Sequence, residues 1–135
     1  MSTQNRSTFN LLLTSAIAQL YQSHPVTIRL DPSLLWAADT EVEFKRQHSA
    51  TADGTVAWLY RNGIVSGNPM ISGGDLMAVT SAQLTAHGYR IANTVDSNSG
   101  GATLGQIAIE AAANPSSPDG LAGIELVARR FTEGA

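Results

Sequence analysis

The sequence contains no cysteine, which excludes disulfide bonds, thiolate nucleophiles and cysteine-based metal sites. Long apolar runs are also missing, since residues 11–13 and 16–18 are bounded by polar side chains, far short of the roughly 20 residues that span a bilayer. The first ten residues are mostly polar and lack the charged and apolar blocks of a secretory signal. We therefore expect a cytoplasmic protein that does not bind membranes.

Positive charge is scarce as well. Eight lysines and arginines stand against eleven aspartates and glutamates, which gives a net charge of −3. The charges cancel within residues 1–39 and again within residues 40–92, so the acidic excess lies in residues 93–135. DNA-binding domains usually gain much of their affinity by neutralising phosphates. This charge balance therefore weakens any interpretation based on nucleic acid.

The groups that could carry catalysis or bind a metal ion are isolated from one another. His24, His48 and His87 are far apart in sequence, and none has a second ligand at helical spacing. The glycine pairs at residues 73–74 and 100–101 lack the sequence context of phosphate-binding loops, and no serine has a Gly-x-Ser-x-Gly context. We expect no enzymatic activity, no cofactor and no metal ion.

One stretch, residues 49–65, organises the rest of the chain. Its pattern predicts a helix that ends at a glycine and continues directly into a strand. Ala52, Val56 and Leu59 recur at the spacing of one helical face. Gly63 accepts the left-handed conformation that ends helices, and the two β-branched residues that follow it suit a strand.

The chain before this stretch contains several start signals for helices. Polar residues 1–8 are expected to be flexible. Asp31 and Pro32 have the residue types of a helix cap and a first helical position, and Thr40 with Glu43 fits a capping box. The predicted elements are a helix at 9–22, a strand at 26–30, a helical turn at 33–38, a helix at 41–47, a turn at 48–50 and the central helix at 51–62.

The residues after the central helix predict a hairpin followed by another helix. Strand-like segments flank residues 68–75, a tip rich in glycine, asparagine, proline and serine that indicates a long loop. Leu84 is expected to end the second strand, and Thr85 to cap the next helix, which carries Tyr89 and Ile91.

Two of these segments resemble the winged helix-turn-helix family. Residues 56–64, Val-Ala-Trp-Leu-Tyr-Arg-Asn-Gly-Ile, resemble the helix that ends in a leucine, a glycine and an aliphatic residue before the wing. Residues 84–89, Leu-Thr-Ala-His-Gly-Tyr, resemble the Leu-Thr-x-x-Gly segment that follows the wing. The resemblance covers residues 9–93 and is to small winged-helix proteins of bacteria and their phages. It implies an α+β fold in the order helix, strand, helix, helix, hairpin, helix, and recognition of nucleic acid or protein.

Two additional helices are predicted after this winged helix-turn-helix domain. Residues 94–102 have the composition of a linker, and residues 103–135 form a C-terminal helical segment with helices at 103–113 and 121–132. These helices either pack on the domain or form a homodimer through residues 103–132. A purely structural role in an assembly is a further alternative.

The first functional hypothesis is a regulator of transcription that binds double-stranded DNA. The outward residues of the central helix would enter the major groove, where threonine methyls contact thymine and polar side chains bind base edges. Basic residues just before the helix would bind phosphates. The DNA-binding set is Lys45, Arg46, His48, Thr51, Thr55, Trp58, Arg61 and Asn62. The alternative is a solvated helix face on which Trp58 packs against the core.

The second hypothesis is a winged-helix module that binds a protein and no DNA. The tip at residues 68–75 contains no lysine or arginine, although wings that enter the minor groove usually carry a basic residue. Trp58, Met70 and Ile71 would then form the contact with the protein partner, unless the tip is simply a flexible loop.

Overall fold

A computed structural model describes residues 3–134, which form an α+β structure of helices and one antiparallel sheet. Within these residues, none of the helices has the combination of length and apolarity needed to cross a membrane. The elements, in chain order, are α1 (Thr3–Ser23), β1 (Ile28–Leu30), α2 (Val42–Gln47), α3 (Ser49–Arg61), β2 (Val65–Ser72), β3 (Asp75–Leu84), α4 (Ala86–Ala92), α5 (Leu104–Ala113) and α6 (Pro118–Gly134). The observed order of elements up to α4 agrees with the expected one.

The first helix is longer than its apolar pattern predicts. It begins at Thr3, so the prediction of a flexible segment at residues 1–8 is wrong for residues 3–8, while Met1 and Ser2 lie outside the described residues. Thr8 is buried, and its hydroxyl donates to the carbonyl oxygen of Gln4. Arg6 lines a cleft beside α6, so the exposed polar start of α1 lies next to another helix.

The sheet has the strand order β1-β3-β2, and both pairs of strands are antiparallel. The hairpin is tighter than expected, because β2 and β3 are paired as far as Ser72 and Asp75. The predicted long loop at residues 68–75 is therefore wrong. Gly73 and Gly74 alone form the turn, with φ angles of 60° and 86° that glycine adopts without strain.

The structure confirms one predicted helix cap, at Asp31, and contradicts another, at Thr40. Asp31 does cap a turn, since its carboxylate accepts from the backbone N–H of Ser33 at 3.0 Å, although this 3₁₀ turn covers only Pro32–Leu34. The capping box at Thr40 is wrong, because Glu41 occupies the cap position of α2 and makes no side-chain capping bond. The carboxylate of Glu43 instead accepts from Arg46.

The core is built around α1, which packs against α3, α5 and α6. Leu12 and Ile17 of α1 are fully buried in one cluster with Val56 of α3 and with Val127 and Phe131 of α6. The two C-terminal helices therefore share the core of the preceding elements, a point on which the sequence left both alternatives open. Because their apolar side chains are used inside the chain, a homodimer through residues 103–132 would need other side chains, such as the exposed Leu121.

The segment predicted as a linker is closed by backbone hydrogen bonds. The N–H of Leu104 donates to the carbonyl oxygen of Thr94, and the N–H of Asp96 donates to that of Ala102, both at 3.0 Å. Thr103 and Gln106 then form a capping box at the start of α5. These bonds hold the ends of the segment together and place α5 beside α1.

The junction between α3 and the hairpin is fixed by the two segments that carry the family resemblance. Gly63 has a φ of 71°, and the N–H of Ile64 donates back to the carbonyl oxygen of Leu59, which gives a Schellman end to α3. The carbonyl oxygen of Ile64 accepts from the N–H of Thr85 at 3.0 Å. The Thr85 hydroxyl donates to Gly63 and accepts from the N–H of Gly88.

Gly88 is needed at this junction because of close packing. A β-carbon at this position would lie 2.4 Å from the carbonyl oxygen of Ile64, which is a backbone atom that cannot rotate away. The start of α4 therefore approaches the end of α3 more closely than any residue with a side chain allows.

We predict that Gly88→Ala lowers the free energy of unfolding by about 2 kcal/mol or more, because the methyl group overpacks the junction. Gly54→Ala is the matched control, since residue 54 is inside a helix and a β-carbon there would meet no heavy atom of the surrounding structure within 4 Å. The control should raise stability by about 0.5–1 kcal/mol. Urea unfolding of both variants measures the difference, and equal stability of the two variants would contradict the proposed junction.

Candidate functional site

The connection between α2 and α3 is a single residue rather than the predicted turn at 48–50. His48 ends α2 and caps α3. Only 6% of its surface is exposed, and its ring lies 4.4 Å from the ring of Phe44. The prediction that His48 binds phosphate is therefore wrong, since the side chain faces a neighbouring ring. Its buried Nδ1 has no hydrogen-bond partner among the described residues.

Thr55 is fully buried, so the prediction that it contacts DNA bases is wrong. Its hydroxyl donates to the carbonyl oxygen of Thr51 at 2.7 Å, which satisfies the polar group inside the helix. In helical projection Thr55 falls next to Ala52 and Leu59, both buried. Its polar character suggested an outward position that its place on the helix does not allow.

Trp58 is half-buried and packs on the first helix. Its ring meets that of Phe9 edge to face, with 5.7 Å between the ring centroids. This geometry agrees with the alternative in which Trp58 is a packing residue. Asn62 is exposed, but its amide donates to the carbonyl oxygen of Trp58 at 2.9 Å and so serves the end of α3.

The cations of the predicted DNA-binding set differ in their ion pairing and in their exposure. Arg46 is held by Glu43 at 2.7 Å, so its charge is already matched locally. Lys45 and Arg61 make no ion pair within residues 3–134. Lys45 is half-buried beside the hairpin, whereas Arg61 is exposed at the end of α3. The structure therefore does not gather the predicted cations into one basic surface.

A different feature lies on the other flank of α3, between this helix, the 3₁₀ turn and the hairpin. It is a cleft of about 400 Å³, which we name the hairpin cleft. Its lining residues are Arg29, Asp31, Pro32, Ser33, Trp36, Lys45, Ser49, Ala52, Asp53, Met70, Met77 and Ala78.

The shape of the hairpin cleft follows from the size of its side chains. Three buried residues with small or compact side chains line it, namely Pro32, Ala52 and Ala78. Larger apolar side chains stand beside them: Met70 and Met77 are each more than 40% exposed. Trp36, the third large side chain, is half-buried with its ring edge to face with that of Phe44. The combination leaves an open space with apolar walls.

Two charged residues of the cleft neutralise each other. Arg29 and Asp31 form an ion pair at 3.3 Å, and the guanidinium of Arg29 also reaches the sulfur of Met70 at 3.5 Å. Burial tends to raise the pKa of Asp31, but hydrogen bonds from Ser33 and from Arg29 together bring this pKa below its ordinary value. Asp31 is therefore fully committed to partners within the chain.

Asp53 differs, because its side chain makes no hydrogen bond or ion pair with the rest of residues 3–134. Burial raises the pKa of Asp53, and the negative charges of Asp31 and Asp75 raise it further. Its carboxylate is thus held in an environment that disfavours its own charge.

The structure does not bring Trp58 together with Met70 and Ile71. Trp58 and Asp53 are five positions apart, which places them about 140° apart around the helix. Trp58 consequently faces a shallow cleft with Phe9, while Met70 lines the hairpin cleft. A single contact surface through all three predicted residues is therefore not formed by this chain.

The sequence pattern does not identify Trp36, Met77 and Asp53 of the hairpin cleft as site residues. Met77 alternates with buried Leu76 and Ala78 along β3, so strand periodicity could have placed it outward. Trp36 follows an irregular turn and has no periodic signal. Among residues 3–134, no group of three or more histidine, aspartate or glutamate side chains could hold a metal ion.

We predict that Thr55→Ala lowers the free energy of unfolding by about 1–2 kcal/mol, because it removes buried atoms and a satisfied hydroxyl. The control Thr51→Ala, at a half-buried position, should change stability by less than about 0.5 kcal/mol. Chemical denaturation tests both variants. A Thr55→Ala variant that is as stable as the wild type would contradict the burial of this residue.

We also predict that Asp53→Asn stabilises the protein at neutral pH, by roughly 0.5 kcal/mol or less. The folded state raises the pKa of Asp53, so folding favours its protonated form and the wild type loses stability as pH rises through that pKa. The gain from the substitution should therefore shrink as the pH falls towards the acidic range where Asp53 is protonated. Thermal melts at pH 7 and pH 4 measure it, and a variant less stable than wild type at pH 7 would contradict the assignment.

Comparison with known proteins gives no relative for this chain. No protein-family model matches it, and no curated protein or solved structure is significantly similar to it.

Proposed function

We propose that this chain is a winged helix-turn-helix module that binds another protein through the hairpin cleft. Three features support the winged-helix assignment: the order of elements from α1 to α4, the strand order β1-β3-β2, and the contact between the two segments that resemble the family. In this interpretation β2 and β3 are the wing, and α3 has the position of the recognition helix.

The observation that carries the choice of a protein partner is the charge of the helix-turn-helix and the wing. Between Arg29 and Asp75 there are four cationic and six acidic side chains. Two of the four cations are engaged by Asp31 and Glu43. A surface of this composition would repel phosphates more than it attracts them, whereas contact with a protein requires no excess of positive charge.

The second support is the apolar surface beside the wing. Met70 and Met77 expose 42% and 44% of their surface at the same cleft as Trp36. Exposed methionines and aromatic rings are characteristic of protein-binding surfaces, because they adapt to apolar partners and release water when covered. Ile71, the next residue of β2, is 64% exposed but does not line the cleft.

The test is a selection of random linear peptides displayed on phage against the whole protein, followed by affinity measurements with the variants. We expect selected peptides to lose about tenfold or more in affinity for the double variant Met70→Ser/Met77→Ser, since two apolar contacts are removed. Leu121→Ser is the control, because Leu121 is a similarly exposed apolar residue on α6, outside the cleft.

The variants distinguish the hairpin cleft from α6 as the binding surface. Peptides whose affinity falls only with Leu121→Ser would place the binding surface on α6 and contradict the role of the hairpin cleft. A selection that yields no peptide with affinity for the protein would also count against a peptide-binding module.

DNA binding is the second candidate, and one observation favours it. Arg61 is exposed at the C-terminal end of α3 and makes no ion pair within residues 3–134. Fluorescence anisotropy with random-sequence duplex DNA, at low and at physiological salt, tests it. The protein-binding proposal predicts no binding at physiological salt. Salt-dependent binding that weakens for Arg61→Ala and Lys45→Ala would instead support DNA as the partner.

A further inference from the structure

We infer that the hairpin cleft receives a lysine or arginine side chain of the partner protein, with its carbon stem along Trp36, Met70 and Met77 and its cation at Asp53. This inference rests on the proposed protein-binding function and specifies the chemistry of the partner. It commits the cleft to one kind of occupant, a basic side chain of an extended peptide segment.

The shape of the cleft favours a long and narrow occupant. Its floor includes the small buried side chains of Ala52 and Ala78, so the open space reaches down to the surface of α3 and β3. Its walls are two unbranched thioether side chains and one indole ring. Lysine and arginine carry apolar stems that pack along such surfaces while their charged ends stay accessible, and the face of an indole ring attracts a cation.

The carboxylate of Asp53 is the group in the cleft that complements a cation. Asp53 projects from α3 on a short side chain, lines the cleft and has no cationic partner in the described structure. The charges that act on it, those of Asp31 and Asp75, are both negative. A bound ammonium or guanidinium group would offset this repulsion and provide the hydrogen-bond donors that the carboxylate lacks.

Neither of the two cations that line the cleft pairs with Asp53. Arg29 is held by Asp31 at 3.3 Å. Lys45 is placed on α2 with a flexible four-carbon stem and forms no ion pair with Asp53. An acidic side chain of the partner bound at Lys45 is the competing arrangement, and it predicts the opposite charge in the bound peptide.

The experiment uses the peptides selected on phage against the whole protein and asks which residue they share. We expect a lysine or arginine next to an apolar residue at one common position. Synthetic peptides with norleucine in place of the basic residue should bind about tenfold or more weakly. On the protein side, Asp53→Asn should cause a similar loss, while the control Asp39→Asn at an exposed site should not.

Combining the peptide substitution with Asp53→Asn tests whether the basic residue of the peptide contacts Asp53. If the basic residue meets Asp53, its replacement should cost little further affinity when the protein already carries Asp53→Asn. Because Asp53→Asn is expected to leave the fold intact or stabilise it, a loss of binding cannot be assigned to unfolding.

The selected peptides distinguish a cleft that binds a different side chain from a protein that does not bind peptides at this cleft. Peptides that depend on Met70 and Met77 but share no basic residue, or that share an acidic one, would overturn the inference and leave the protein-binding module standing. Peptides that are insensitive to the methionine variant would overturn both.

Discussion

The arrangement of the structure depends on the carbonyl group of Ile64. This group follows the glycine that ends α3, and it accepts the N–H of Thr85 at the point where β3 passes into α4. Gly88 lies against the same oxygen with no room for a β-carbon. Because α3, both hairpin strands and α4 meet here, a change at this group would alter the angle at which the hairpin leaves the helix. The hairpin cleft, which needs the hairpin beside α3, depends on that angle.

The long first helix is the second feature on which the arrangement of the structure depends. Leu12 and Ile17 are fully buried in a core shared with α3 and α6, so the C-terminal helices stabilise the same body that carries the cleft. Trp58 is drawn towards this core through Phe9, which takes it away from the exposed face of α3. The packing that makes the fold stable thus removes the largest side chain from the surface that the DNA hypothesis requires.

Much of the fold could be predicted from local signals, whereas the site could not. Gly63, Asp31-Pro32 and Leu84-Thr85 act through their immediate neighbours, so their positions predicted where elements end or begin. The length of α1 and the burial of Thr55 and His48 depend on distant packing, which the polar character of these residues conceals. The hairpin cleft joins four separate segments, and its Trp36 and Asp53 carry no pattern that would connect them in the sequence.

We propose that the partner surface lies at the hairpin cleft and not on the outward face of α3. NMR of methyl-labelled methionine can locate this surface, since Met70 and Met77 both line the cleft. We expect that a peptide selected on the protein shifts both methyl signals, and that duplex DNA at physiological salt shifts neither. Peptide binding that leaves both signals unchanged, or DNA binding that perturbs the end of α3 at that salt, would contradict it.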